Sequence, residues 1–320
     1  MRTMQDPSAD DEFRFLAGDA ARVSRTAPLP EVRRVDAPVS QGRRLSGLSF
    51  EPDRAPELVL LHGAGLNAHG FDPTLLALGR PALALDLPGH GRSDWREDAD
   101  YRPDLLASDV SLALDALAPE TTAIAGHSLG GLTSILVASA RAERTRALIL
   151  VDITPGVVPA RDAGSVAEFI TGQRSYADHE EIIDRAIAFG IGASRESLAR
   201  GIALNTRRRS DGRWEWTHHL AHLDGLATGG PDPADGDTGA ESPLAPLWLP
   251  LEALHATGLP VALIRADAGM VDTQLAEEWR DRLPGSPVRT IAGPHNLHEA
   301  APRELAAAFE ELLGPVRTRR

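Results

Sequence analysis

The sequence predicts an α/β protein, a mostly parallel and doubly wound sheet with a block of helices inserted late in the chain. Three observations carry this. Short apolar runs alternate with helical stretches through the first half, the pattern of a parallel sheet covered by helices on both faces. Gly126-His127-Ser128-Leu129-Gly130 reads G-x-S-x-G and sits between an apolar run and a small-residue helix. From about Gly156 to Pro250 the strands stop and amphipathic helices follow one another, after which the alternation resumes.

The 320 residues, 42% of them apolar, are enough for a sizeable core. A net charge of −13 argues against a nucleic-acid partner. With no cysteine, disulfides and thiolate metal sites are excluded. Met1 to Phe15 is polar and acidic without the apolar centre of a signal peptide, and no apolar run has the length of a membrane span. The expectation is a cytoplasmic protein without a membrane partner. Nothing in the chain calls for a cofactor.

In chain order, residues 1–30 have weak periodicity and read as a tail or an extra helix. Glu31 to Val39 and Arg43 to Phe50 alternate as an antiparallel edge pair would. Glu57 to Leu61 is a continuous apolar run, suited to a strand covered on both faces. His62-Gly63-Ala64-Gly65 follows, where backbone N–H groups can face a ligand, and then a helical run to Leu78. Pro81 to Leu85 is the next strand. It ends in Asp86-Leu87-Pro88-Gly89-His90-Gly91-Arg92-Ser93-Asp94, a turn in which Asp86 and His90 are expected to satisfy backbone groups rather than react. Asp104 to Leu117 is a covering helix.

Thr121 to Ala125 is the strand before the G-x-S-x-G turn, and Gly131 to Ala140 the helix after it. Strand, sharp turn and helix is the setting that lifts a serine Oγ clear of a sheet. Arg146 to Val151 forms a further strand, ending at Asp152-Ile153-Thr154-Pro155.

The helical block, Val166–Gly172, Asp178–Phe189 and Arg195–Leu204, reads as a cap over the carboxyl edge of the sheet. It includes the turn Asp211-Gly212-Arg213-Trp214-Glu215-Trp216, and Thr228 to Pro246 reads as a flexible loop. His218, His219, His222 and Asp224 carry donor atoms for a metal but no evident framework, so a polar face or pocket rim is the expectation and no metal site is assigned. The sheet resumes at Val261–Ile264, followed by a helix over Thr273–Leu283, a last strand over Val288–Ile291, and a closing helix over Pro302–Leu313. The expected division is a core of residues 31–155 and 251–320 with a cap of residues 156–250.

From about Glu31 to Leu313 the chain resembles the α/β-hydrolase superfamily. The resemblance rests on His62-Gly63-Ala64-Gly65, the Asp86-to-Asp94 turn, the Ser128 turn and His295 after the last strand, in that order. Val151-Asp152-Ile153-Thr154-Pro155 and the turn at Asp211 look like those of small capped esterases. The resemblance implies Ser128 as nucleophile, His295 as base, and the N–H groups of Ala64 and Leu129 as oxyanion donors. It implies a small-molecule substrate contacting Gly63, His127, Trp214 and Trp216. His298 is the alternative to His295, otherwise a pocket-rim residue or one at the start of the closing helix.

The acid departs from the pattern. The superfamily's usual place falls at about Gly269 or Met270, neither of which can serve. Asp152, which similar Val-Asp-Ile segments use, stands first, with Asp272 and Asp267 as alternatives. The implied activity is hydrolysis of an ester or related activated acyl compound. A carbon–carbon bond hydrolase, a haloperoxidase-like perhydrolase, and a small-molecule-binding protein with little turnover remain open on the same residues.

Overall fold

The computed structural model describes residues 12–158, 164–192, 194–223 and 242–314. Residues 1–11 of the N-terminal stretch, Asp224, and residues 228–241 of the loop expected over 228–246 lie outside the described residues.

The strands form where the apolar runs stand. They are β1 (Val32–Pro38), β2 (Arg44–Phe50), β3 (Leu58–Leu61), β4 (Ala82–Leu85), β5 (Thr122–His127), β6 (Thr145–Val151), and later β9 (Val261–Ala268) and β10 (Val288–Pro294). They make one eight-stranded sheet in the order β1-β2-β4-β3-β5-β6-β9-β10. The pairs β1/β2 and β2/β4 are antiparallel and the rest parallel. Alternate side chains point to opposite faces of a strand. On β3, Val59 and Leu61 therefore join one core cluster and Leu58 and Leu60 the other.

Each face is roofed by helices. On one lie α3 (Pro103–Leu117), α4 (Leu129–Ala140), α8 (Trp248–Ala256) and α9 (Thr273–Arg282), packed through Leu106, Ile135, Trp248 and Trp279. On the other lie α1 (Leu16–Arg22), α2 (Asp72–Leu78), the single turn α10 (Leu297–Ala300) and α11 (Pro302–Leu313), packed through Leu16, Leu75, Leu297 and Phe309.

Residues 12–22 are part of this body. Glu12 is buried against Arg34 at 2.8 Å, and Arg34 also reaches Asp86 at 2.7 Å. Removing one partner of a buried pair costs about 3–5 kcal/mol, so this end of the chain is held by more than its apolar face.

Between β6 and α8 come α5 (Gly164–Thr171), α6 (His179–Ala188) and α7 (Arg195–Asn205). Asp178 caps α6 by accepting from the Glu181 N–H, and Ser194 and Ser197 form a reciprocal cap on α7. The stretch read as a turn with an aromatic segment is a hairpin of β7 (Thr206–Arg208) and β8 (Trp214–Trp216). Gly212 at φ +83° turns the chain there. These elements have a small core of their own, in which Phe169, Tyr176, Ile182 and Trp216 meet. Leu220, Leu223, Leu244 and Trp248 pack against the sheet's core.

Candidate active site

Strand order places the site. β5, β6, β9 and β10 lie side by side, and the parallel register sets His127 beside Val151 and Val151 beside Ile264. The residues that follow these strands therefore emerge in a row along the carboxyl edge: Ser128, Asp152, the loop after β9, and His295.

Ser128 stands at φ 53° and ψ −122°, between the last residue of β5 and the first of α4. A non-glycine residue held there costs of order 1–3 kcal/mol and marks an imposed turn. The turn is possible only because α4 comes very close to β3: a Cβ on Gly130 would fall on the Leu61 carbonyl. The N–H groups of Ala64 and Leu129 have no acceptor among the described residues, and Leu129 begins α4, whose N-terminal dipole favours negative charge.

Two histidines shape the loop that carries Ala64. The His62 Nε2 accepts from the Leu87 N–H at 2.9 Å, so its Nδ1 is the protonated nitrogen and donates to the Gly63 carbonyl at 2.8 Å. The His90 Nε2 accepts from the Gly65 N–H at 3.1 Å while its Nδ1 donates to the Pro88 carbonyl at 3.0 Å. Both rings must be neutral to accept, and burial depresses both, His90 to about 3. Asp86 accepts from the N–H groups of Ala68 and Arg92. Asp86 and His90 thus satisfy backbone groups, and His62, the first residue of the His62-Gly63-Ala64-Gly65 motif, does the same work.

The Asp152 carboxylate is fully buried. One oxygen accepts from the Ala266 N–H at 2.9 Å; the other accepts from the Met270 N–H at 2.8 Å and from the His295 Nδ1–H at 2.7 Å. Like Ser128, Asp152 has a positive φ, 50°. Asp272 is instead the cap of α9, accepting from the Leu275 N–H at 2.8 Å, and Asp267 accepts from the Gly293 N–H at 2.8 Å. Neither alternative acid has a contact with His295. The loop after β9 supplies backbone donors where a carboxylate was sought.

Gly269 is part of that arrangement, since a Cβ there would overlap the Asp152 carboxylate. Gly269→Ala is expected to displace the carboxylate from His295 and lower kcat by about 100-fold or more. A purified, folded variant with an unchanged rate would show that the loop moves instead.

His295 and Ser128 both line one cavity, of about 1130 Å³ counted out to its open mouth. No hydrogen bond joins them among the described residues, and such bonds are commonly long before substrate arrives. Gly63, Ala64 and His127 line the cavity from the core, with Met270 beside the acid; Phe169, Ile170, Leu198, Ile202 and Trp216 line it from the inserted helices and hairpin.

His127, which lines the cavity, is buried, and its Nε2 donates to the His295 carbonyl at 3.0 Å, which holds the histidine loop in place. His298 is not at the rim. It is 1% exposed, packed on Phe71 and His127, and burial depresses it to about 3, so it is a neutral core residue. Trp214 is not in the cavity wall; its ring lies on His179 at 4.0 Å. Trp216, two residues further along the same strand, is in the wall. His218 is buried beside His90, His219 stacks on Trp95 at 4.2 Å, and His222 packs on the same Trp95 ring while its Nε2 donates to the Trp216 carbonyl at 3.1 Å. None of the three lines the cavity. Among the described residues no group of three or more His, Asp or Glu is placed to hold a metal ion.

Comparison with known proteins bears on this geometry. The model of the alpha/beta hydrolase family matches residues 58–308. The chain belongs to the alpha/beta hydrolase family. Among members of this hydrolase family it is 36% identical over 279 residues to esterase Rv0045c of Mycobacterium tuberculosis, covering 85% of each chain. A crystal structure of that esterase superposes with a TM-score of 0.79 at 32% identity, over 97% of this chain and 99% of that one. The pimeloyl-[acyl-carrier protein] methyl ester esterase of Aeromonas salmonicida is 37% identical over 142 residues, 42% of this chain and 54% of the relative. Among the described residues no helix of this hydrolase is long and apolar enough to cross a membrane.

Proposed function

We propose that this ester hydrolase works through an acyl-enzyme formed on Ser128. The observation that carries the reading is the Asp152–His295 pair at 2.7 Å, opening on the same cavity as a serine held in a strained turn at a helix N-terminus. With Nδ1–H committed to Asp152, the His295 Nε2 is free to accept the serine proton. Ser128 Oγ then attacks the ester carbonyl, the oxyanion meets the N–H groups of Ala64 and Leu129, and the imidazolium beside Asp152 returns its proton to the leaving alcohol. Water repeats the sequence on the acyl-enzyme. Each oxyanion donor contributes about 2.7–4 kcal/mol to such a transition state.

Residues of the inserted block form the cap in this reading. Fluorophosphonate labelling tests it most directly: one adduct is expected, on Ser128, with loss of 4-nitrophenyl ester hydrolysis in proportion. Labelling without loss of turnover, or turnover by a protein that does not label, would remove the reading.

The cap also carries a prediction on substrate choice. Trp216→Ala enlarges the cavity and is expected to shift the preferred acyl length of a 4-nitrophenyl ester series upward. Trp214→Ala is expected to leave the ranking alone, because its ring packs on His179 and is not part of the cavity wall. A uniform fall for all esters with Trp216→Ala, together with a lower melting temperature, would assign that ring to cap stability alone.

A further inference from the structure

The cavity wall is apolar where the cap's own core meets it, at Phe169, Ile170 and Trp216. Toward α1 and α2 it is polar, and there nearly every group has a partner. The Arg200 guanidinium donates to Asp19 at 2.8 Å, to Asp72 at 3.0 Å and to the His69 carbonyl at 3.1 Å. His69 Nδ1 lies 2.8 Å from Asp72. Asn67 donates to the Leu204 carbonyl at 2.9 Å, and Asn205 donates to the Gly65 carbonyl.

Glu299 differs. It lies one helical turn after His295, on α10, and lines the same cavity. Its Oε1 stands 3.4 Å from where a Cβ on Gly201 would be, against the backbone of α7. Its carboxylate makes no hydrogen bond among the described residues. Arg22 donates to the Glu299 backbone carbonyl, and Arg200 is already committed to two other carboxylates. Burial raises the Glu299 pKa to about 6 against the pull of Arg200 and Arg22, so near neutral pH the group is an anion lacking a donor. Glu299 is half-buried and lines the cavity, so a donor on the substrate would take the place of water at its carboxylate.

We infer that Glu299 sets substrate choice by receiving a hydrogen-bond donor, a hydroxyl or an ammonium, on one arm of the ester, while the other arm lies on the apolar wall of Phe169, Ile170 and Trp216. The inference rests on the ester-hydrolase reading of Ser128. It also means that a carboxylate-ended arm is disfavoured, because it would face Glu299 with like charge.

The test compares matched esters whose arm ends in methyl, hydroxyl, ammonium or carboxylate, at several lengths, with the variable arm on the acyl side in one series and on the alcohol side in the other. In at least one series the hydroxyl and ammonium members are expected to exceed the methyl member in kcat/KM by about tenfold or more, mainly through KM, with the carboxylate member last. Glu299→Gln keeps an acceptor oxygen and is expected to retain the hydroxyl preference while losing the ammonium preference. Glu299→Leu is expected to abolish both. A methyl member that equals or beats the donor members in both series overturns the inference, as does an ammonium preference that survives Glu299→Gln. Should Glu299→Leu fail to fold, the isosteric Gln variant decides alone. Hydrolysis of methyl-ended esters with no donor preference leaves the Ser128 reading standing; absence of turnover and of fluorophosphonate labelling removes both.

Discussion

Ser128→Ala is expected to lower kcat by roughly 10³- to 10⁶-fold while leaving the far-UV circular dichroism spectrum unchanged. In the proposed mechanism the variant loses the Oγ that bonds to the acyl group and keeps everything around it. The Ala64 and Leu129 N–H groups stay without an acceptor among the described residues, and the backbone hydrogen bonds that frame the turn, from Gly131 and Leu132 to the Ser128 carbonyl, do not involve the side chain. Residual catalysis from an intact oxyanion hole is therefore expected, rather than zero. Because alanine also tolerates φ 53° poorly, the melting temperature should hardly move. Undiminished hydrolysis by well-purified Ser128→Ala protein would place the nucleophile elsewhere.

Asp152→Asn is expected to lower kcat by roughly 10³- to 10⁴-fold with KM little changed. The carboxylate oxygen that meets His295 Nδ1–H also accepts from the Met270 N–H, and the other oxygen accepts from the Ala266 N–H. An asparagine has one acceptor oxygen for these two positions. Whichever way its amide turns, an NH₂ group faces a donor, either a backbone N–H or the imidazole. The histidine is then driven toward the tautomer with Nε2 protonated, which cannot take the serine proton, and the imidazolium loses its counter-charge. Asp272→Asn and Asp267→Asn should change kcat by less than about threefold; asparagine caps a helix nearly as well as aspartate. If Asp272→Asn proved the more damaging, the acid would belong to the loop after β9.

Much of this site was legible in the residues, for reasons that can be named. The four-residue apolar strands β3 and β4 are buried on both faces, so their runs are unbroken and their ends abrupt. Ser128 and His295 each sit directly beyond a strand, where the direction of the chain is prescribed. The acid was harder. Asp152 follows β6, Asp267 lies near the end of β9 and Asp272 follows it; what separates them is which N–H groups surround each carboxylate, a property of register between β6 and β9. The tryptophans show the same limit. Trp214 and Trp216 look alike as composition and share a face of β8, yet the neighbours each ring meets differ, His179 for one and the cavity for the other, and nothing announced that residues 206–216 form a hairpin. Burial of His298 and exposure of Glu299 to the cavity depend on how α10 packs against Phe71 and Gly201, contacts between segments far apart in the chain. The helix at residues 16–22 was obscure because its periodicity spans barely two turns.

That first helix has a consequence for how the molecule assembles. Its apolar face can settle on α2 once residue 78 or so has been synthesised, but its polar contacts wait. Asp19 pairs with Arg200, and Arg22 with the carbonyl of Glu299, partners 181 and 277 residues downstream. Closing loops of that length costs entropy before any contact repays it, which favours late formation. During synthesis this helix is thus made long before it can complete its contacts, which tie α7 and the single turn after β10 to one another.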